Sequence, residues 1–179
     1  MAQANNTPNT PMPSGEPWAS EDAQYSAENS RTHNAYIKFG GAEEKERLGS
    51  QISLMLEFSK PVYEQLLASK HDLAVLDVGC NDGTYLTCKF AAREEVSHVL
   101  GIDMDEKVVN AANEQLGSKA MQFRHVDCES EQLKEALDDY LREIRRAGFD
   151  LIVMSMVVLH LEDPLKVLSV LHDYLDDGG

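Results

Sequence analysis

The amino-acid sequence predicts an α/β fold, a doubly wound and mainly parallel sheet preceded by helices, on three observations. From Leu73 onward, apolar runs of strand length alternate with stretches of helical period. The first run leads directly into two glycines four residues apart, in Gly79-Cys80-Asn81-Asp82-Gly83. Three successive runs carry an aspartate at their carboxyl ends: Asp77, Asp103 and Asp127. A succession of strand, helix, strand and helix implies right-handed crossovers and hence a parallel sheet.

Taken in order, residues 1–24 gather Pro8, Pro11, Pro13 and Pro17 with Asn, Thr, Ser and Gly and have almost no apolar period, the composition of a disordered tail. Residues 25–70 read as a helical and lid segment. Its Tyr25, His33, Tyr36 and Phe39 either close over a ligand or pack on the core. Leu48, Ile52, Met55 and Leu56, then Val62, Leu66 and Leu67, fall at helical spacing on either side of Ser59-Lys60-Pro61. That pattern predicts two amphipathic helices, with Pro61 in the first turn of the second.

Residues 71–179 form the core. Strands are expected at 73–78, 98–103, 121–126 and 149–155, and helices at 84–92, 105–116, 130–144 and 164–175. In the third of these helices Leu133, Ala136, Leu137, Tyr140, Leu141 and Ile144 make one stripe. In the fourth Leu165, Leu168, Leu171 and Leu175 do the same, behind Asp163 as N-cap and Pro164 in the first turn.

Composition bounds the partners. The formal net charge of −15 repels nucleic-acid phosphates, and the longest basic cluster is Arg145-Arg146, so a nucleic acid is not the expected substrate. The same charge serves solubility equally well. No apolar run approaches the roughly 18 residues of a membrane span, and the N-terminus lacks the basic-then-apolar layout of a secretion signal. The expectation is a soluble, cytoplasmic protein. Cys80, Cys88 and Cys128 are odd in number and lack metal-ligand spacing, so reduced thiols are expected and no metal site.

Ligands of doubly wound sheets sit at the carboxyl ends of the strands. There Gly79 permits a sharp turn and close backbone approach, while Gly83 adopts dihedrals forbidden to other residues where a helix begins. A dinucleotide site would show G-x-G-x-x-G around a pyrophosphate. Here the turn is Gly-x-x-x-Gly with Asp77 before it and Asp82 inside it, a pair of carboxylates that suits an ammonium or sulfonium ligand instead. Asp103, about 20 residues beyond Gly83, stands where a carboxylate accepts both hydroxyls of a ribose. Asp127 places another acceptor further along the edge, within reach of an adenine amino group.

Taken together, "VLDVGCNDG", "VLGIDMD", "FRHVDC" and the stretch from "FDLIVMS" to "LDDGG" resemble the class I S-adenosylmethionine-dependent methyltransferases, a Rossmann-like family. The resemblance covers residues 73–179. It implies S-adenosyl-L-methionine as cofactor, with Asp77, Gly79, Cys80, Asn81 and Gly83 around the methionine part. It further implies Asp103 at the ribose, Met104 on the adenine face and Asp127 with Cys128 at the adenine edge. Ser155 and Met156 would border the transferred methyl.

Members of that family continue past the Gly-Gly turn with further strands, so the fourth strand is expected to have an open apolar edge here. The expectation is a piece of a longer protein, with self-association or a second chain at that edge as the alternative. Methyl transfer gains most from alignment, and His160 is the candidate if a general base exists. A surface or capping role for His160 competes with that reading. The Asn/Asp-Pro-Pro-aromatic signature of base-methylating members is absent, which points to a small molecule or protein side chain as acceptor. Two other functions stay open: a non-catalytic S-adenosylmethionine-binding partner subunit or inactive relative, and a nucleotide-linked oxidoreductase, which the missing third glycine disfavours.

Overall fold

A computed structural model describes residues 42–68 and 70–177. The tail, the aromatic segment from Tyr25 to Phe39 and the terminal Gly178-Gly179 lie outside the described residues. The chain divides between Arg47 and Leu48 into two units, and the sheet belongs to the second, Leu48–Gly179.

In chain order the elements are α1 (Ala42–Leu67), β1 (Leu73–Val78), α2 (Thr87–Ala91), β2 (Val96–Asp103), α3 (Glu106–Leu116), β3 (Met121–His125), α4 (Gln132–Ile144), β4 (Leu151–Met154) and α5 (Pro164–His172). The strands form one sheet in the order β3-β2-β1-β4, and every pairing is parallel. The chain steps outward from β1 through β2 to β3, then returns to lay β4 on the other side of β1. The strand order thus reverses at β1, and doubly wound sheets receive their ligands at such a point, beyond the carboxyl ends of the strands.

Every residue of β1 is buried, as expected for a central strand covered on both faces. Ala74, Leu76 and Val78 face Leu133, Leu137, Tyr140 and Leu141 of α4 and Val167 and Leu171 of α5. Leu73 and Val75 face the other way, against Leu67 of α1 and Phe90 of α2. On β2, Gly101 is bare for a packing reason: a Cβ there would lie 2.8 Å from both Cys80 Sγ and the Phe123 ring. Asp163 caps α5 by accepting the Lys166 N–H, with Pro164 in the first turn, as the sequence predicts.

The expectations for α1 and α5 need correction. Residues 42–67 form one helix, with Pro61 inside it. Proline deletes one helical N–H donor, while the Ser59 hydroxyl donates to the Met55 carbonyl one turn earlier and engages an acceptor in the same stretch. Of the proposed stripe, Leu67 is buried but Met55, Val62 and Leu66 are exposed. The side chains of Leu48, Ile52 and Leu56 lie outside those described.

The second correction concerns α5, which ends at His172 rather than at Leu175. Beyond it the Phe149 N–H donates to the Tyr174 carbonyl at 2.8 Å and the Asp176 N–H donates to the Phe149 carbonyl at 2.9 Å. That pairing draws the chain out of the helix and beside the approach to β4. From Leu151 to Met154, β4 pairs with β1 alone among the described residues and is an edge strand of the sheet.

Candidate functional site

The turn after β1 is built from backbone hydrogen bonds to its neighbours. The N–H groups of Gly79 and Cys80 both donate to the Ile102 carbonyl, at 2.8 and 3.0 Å, which anchors the turn to the end of β2. Gly79 and Gly83 have φ of 72° and 73°, the left-handed region that favours glycine. Asn81 adopts it too, with φ 52°, and its side-chain oxygen accepts the Asp82 N–H at 2.7 Å. Asp82 in turn accepts both the N–H and the hydroxyl of Thr84. The carboxylate of Asp82 is thus engaged locally, and helix α2 starts at Thr87 instead of Thr84.

Asp103 closes the turn from the other side. Its Oδ2 accepts the Asn81 N–H at 2.8 Å and its Oδ1 accepts the Asp105 N–H at 3.0 Å. The carboxylate is thereby oriented, with acceptor capacity left for a further donor. Burial raises the Asp103 carboxyl above its ordinary value, and backbone N–H donors from Asp105, Asn81 and Met104 work against that rise.

Asp77 is 2% exposed, and the Thr87 hydroxyl donates to its Oδ2 at 2.6 Å. Burial pushes its carboxyl up to about 7; the bond from Thr87 pulls it down, and the Asp103 carboxylate adds to the rise. Asp77, Gly79, Cys80, Asn81, Tyr85, Leu86 and Ser155 line one small cleft at this edge. Burial also drives the Cys80 thiol far up, with the Asp77 and Asp103 carboxylates adding to the effect, so no thiolate stands there at neutral pH.

Further along the edge Met104 is exposed, and its carbonyl lies 3.0 Å from Nε2 of His125. Asp127 accepts the Glu129 N–H at 2.9 Å, and its carbonyl accepts the Ser130 hydroxyl at 2.7 Å. Cys128 is half-buried, and burial beside the Asp127 carboxylate lifts its thiol to about 11. Cys128 lines a separate cavity with Glu129, Ser130 and Lys166, between the starts of α4 and α5. His160 ends a short 3-10 turn, Val158–His160, on the surface and outside the lining of the Asp77 cleft.

The structure therefore gathers Asp77, Gly79, Cys80, Asn81 and Ser155 at one cleft, with Asp103 bonded to its rim. Met104, Asp127 and Cys128 follow along the same sheet edge. Sequence reasoning missed three neighbours. Tyr85 and Leu86 line the cleft, and Thr87 holds Asp77. Thr87 left one trace: it is a hydroxyl residue between apolar Leu86 and Phe90 on a short helix, where burial demands a partner. Met156, next to Ser155, has φ 63°, a costly backbone for a non-glycine residue beside a cleft.

An oriented carboxylate at the end of β2 and a buried acid beside a glycine turn thus stand together at the carboxyl edge of a parallel sheet. Residues 76–179 match the methyltransferase-domain family, and the chain belongs to it. The cofactor of this family is S-adenosylmethionine. The chain is 30% identical over 105 residues to an uncharacterized methyltransferase of Mycobacterium tuberculosis, a match covering 59% of this chain and 46% of that one. It is 28% identical over 134 residues to an uncharacterized protein of Haemophilus influenzae, covering 72% and 48%. The chain thus spans about half the length of these relatives. Among solved structures, a plantazolicin methyltransferase bound to S-adenosylhomocysteine superposes with a TM-score of 0.57 at 18% identity, over 86% of this chain and 52% of that one. A methyltransferase from Mesorhizobium loti does so at 0.51 and 24%, over 68% and 50%.

Proposed function

We propose that the protein is an S-adenosylmethionine-dependent methyltransferase acting on a small molecule or a protein side chain. The observation that carries this reading is the Asp103 carboxylate, held by one N–H from the glycine turn and one from the start of α3. The residues fit the cofactor: the acids along the edge suit a ligand with hydroxyls and positive charge, and the glycine turn brings backbone close to it.

In this assignment Asp103 accepts the ribose hydroxyls, Met104 covers one adenine face, and Asp127 with Cys128 meets the adenine edge. Asp77 and the turn from Gly79 to Gly83 hold the methionine part, with Cys80 and Asn81 in its wall. When bound, the cofactor supplies a methyl group on a sulfonium, ready for in-line displacement. Ser155 and Met156 border the reacting centre and help set the approach of the acceptor; alignment supplies most of the acceleration. His160 is the candidate base for acceptors that must lose a proton, acting from the surface turn after β4. The net charge of −15 opposes nucleic acid as acceptor.

A second reading is supported by β4, which pairs on one side only among the described residues, and by the exposed Leu159 and Leu165 in the segment that follows it: a cofactor-binding subunit that works with a second chain seated on that strand. Methyl-labelled S-adenosylmethionine offered with a panel of small-molecule and protein acceptors separates the two. Label entering an acceptor supports the transferase. Cofactor binding with no label transferred to any acceptor by the isolated chain, and transfer only with a partner chain added, supports the second.

A further inference from the structure

Among the described residues, the most deeply buried polar contact lies beneath the cleft. Thr87 is 0% exposed and Asp77 2%, and they meet at 2.6 Å from Thr87 Oγ1 to Asp77 Oδ2. Asp77 sits in the middle strand of the sheet, in register with Gly101 on one side and Val153 on the other. Neither neighbour offers a side-chain donor. The backbone N–H of Thr87 also bonds to the Asp77 carboxylate, so this residue addresses it twice from the first position of α2.

We infer that Thr87 is a positioning residue for cofactor recognition: by fixing Oδ2 of Asp77 it holds Oδ1 toward the cleft, where it receives the α-ammonium of the methionine part. The inference rests on the cofactor reading above. The chemistry follows from burial. A carboxylate taken out of water is costly unless it is paired and hydrogen-bonded. The hydroxyl stabilises the ionised form on one side, and an arriving ammonium completes the pair on the other. Among the described residues, the titratable groups that act on Asp77 or share its cleft are Tyr63 of α1, Cys80 and Tyr85 of the turn and Asp103 at the end of β2; each bears negative charge when ionised, and β4 contributes apolar Val153. The described surroundings of Asp77 therefore leave the cation to the ligand.

The sign of the pH dependence is fixed by this arrangement. Asp77 binds an ammonium only when ionised, so affinity falls as pH drops through its titration near 7. Removing the hydroxyl raises that titration, and the fall begins at higher pH. A side chain that only filled space would change stability and leave the profile in place.

The test compares S-adenosylhomocysteine with 5′-methylthioadenosine, which lacks the amino-acid end, by calorimetry between pH 5.5 and 9 (about two units either side of neutral). Thr87→Val is expected to weaken S-adenosylhomocysteine by about tenfold at neutral pH, leave methylthioadenosine unchanged and move the acid limb up by about one pH unit. Thr87→Ser is expected to restore the native profile. A measurement on the native protein complements the variants: the Thr87 hydroxyl proton should exchange slowly and shift with the carboxyl carbon of Asp77 as it titrates. Native binding of S-adenosylhomocysteine with an unmoved acid limb in Thr87→Val, or a Thr87 proton indifferent to Asp77, overturns the inference alone. Native protein that binds neither ligand overturns the cofactor reading and this inference with it.

Discussion

Gly79 and Val157 touch across the switch point of the sheet, and a Cβ on Gly79 would lie 2.3 Å from Cγ2 of Val157. The loop after β4 is thereby seated on the turn after β1, and the two walls of the crevice form one packed unit. Glycine at this position answers to the protein's own packing as well as to ligand approach. Gly83 repeats the arrangement, since its Cβ would fall 2.4 Å from the Phe123 ring.

Gly79→Ala is expected to destabilise the protein by about 2–4 kcal/mol, combining the left-handed backbone with overpacking against Val157. Val157→Ala added to it should recover about 1 kcal/mol or more, because the two residues share one contact. Urea unfolding of the four proteins in this cycle checks both values; strict additivity would show that the contact is absent.

Asp77 predicts a pH dependence of stability. Its folded carboxyl, raised by burial to about 7, keeps its proton where the unfolded chain, at its ordinary value of 3.8, has lost it. The native state therefore binds more protons between these values. The stabilisation is full below the lower one and lost as pH rises through the upper. Relative to Asp77→Asn, the ligand-free native protein should lose a few kcal/mol between about pH 4 and pH 8. Parallel curves for the two proteins across that range would contradict this account.

The strands were legible because the apolar runs are long and β1 is buried on both faces, so even the run holding Asp77 reads as continuous. Asp103 was legible because its position after the glycine turn follows from topology. Other features depend on contacts distant in sequence. The end of α5 is set by Phe149, whose backbone captures Tyr174 and Asp176. The start of α2 at Thr87 follows a turn in which Asp82 holds the N–H and hydroxyl of Thr84. The proline in α1 marks a break on local rules, and the helix runs through it. The seat of Val157 on Gly79 joins two loops that no periodicity connects.

Among the described residues β4 pairs on one side only, and Leu159 and Leu165 in the segment that follows it are 64% and 78% exposed. Exposed strand edges beside apolar side chains invite pairing. Light scattering of the 179-residue chain is expected to show concentration-dependent association that Leu159→Lys with Leu165→Glu reduces. A monomer at every concentration would mean that water solvates this edge adequately.

The central claim is that the carboxyl edge of this sheet receives S-adenosylmethionine through Asp103. Calorimetric titration of the folded protein with S-adenosylhomocysteine tests it most directly. The account predicts saturable binding that Asp103→Ala weakens by about 1.5–3 kcal/mol, the scale of a charge-assisted hydrogen bond lost in a site. Folded protein with no binding at millimolar ligand would contradict the claim, and an affinity unchanged in Asp103→Ala would show that the ribose is held elsewhere.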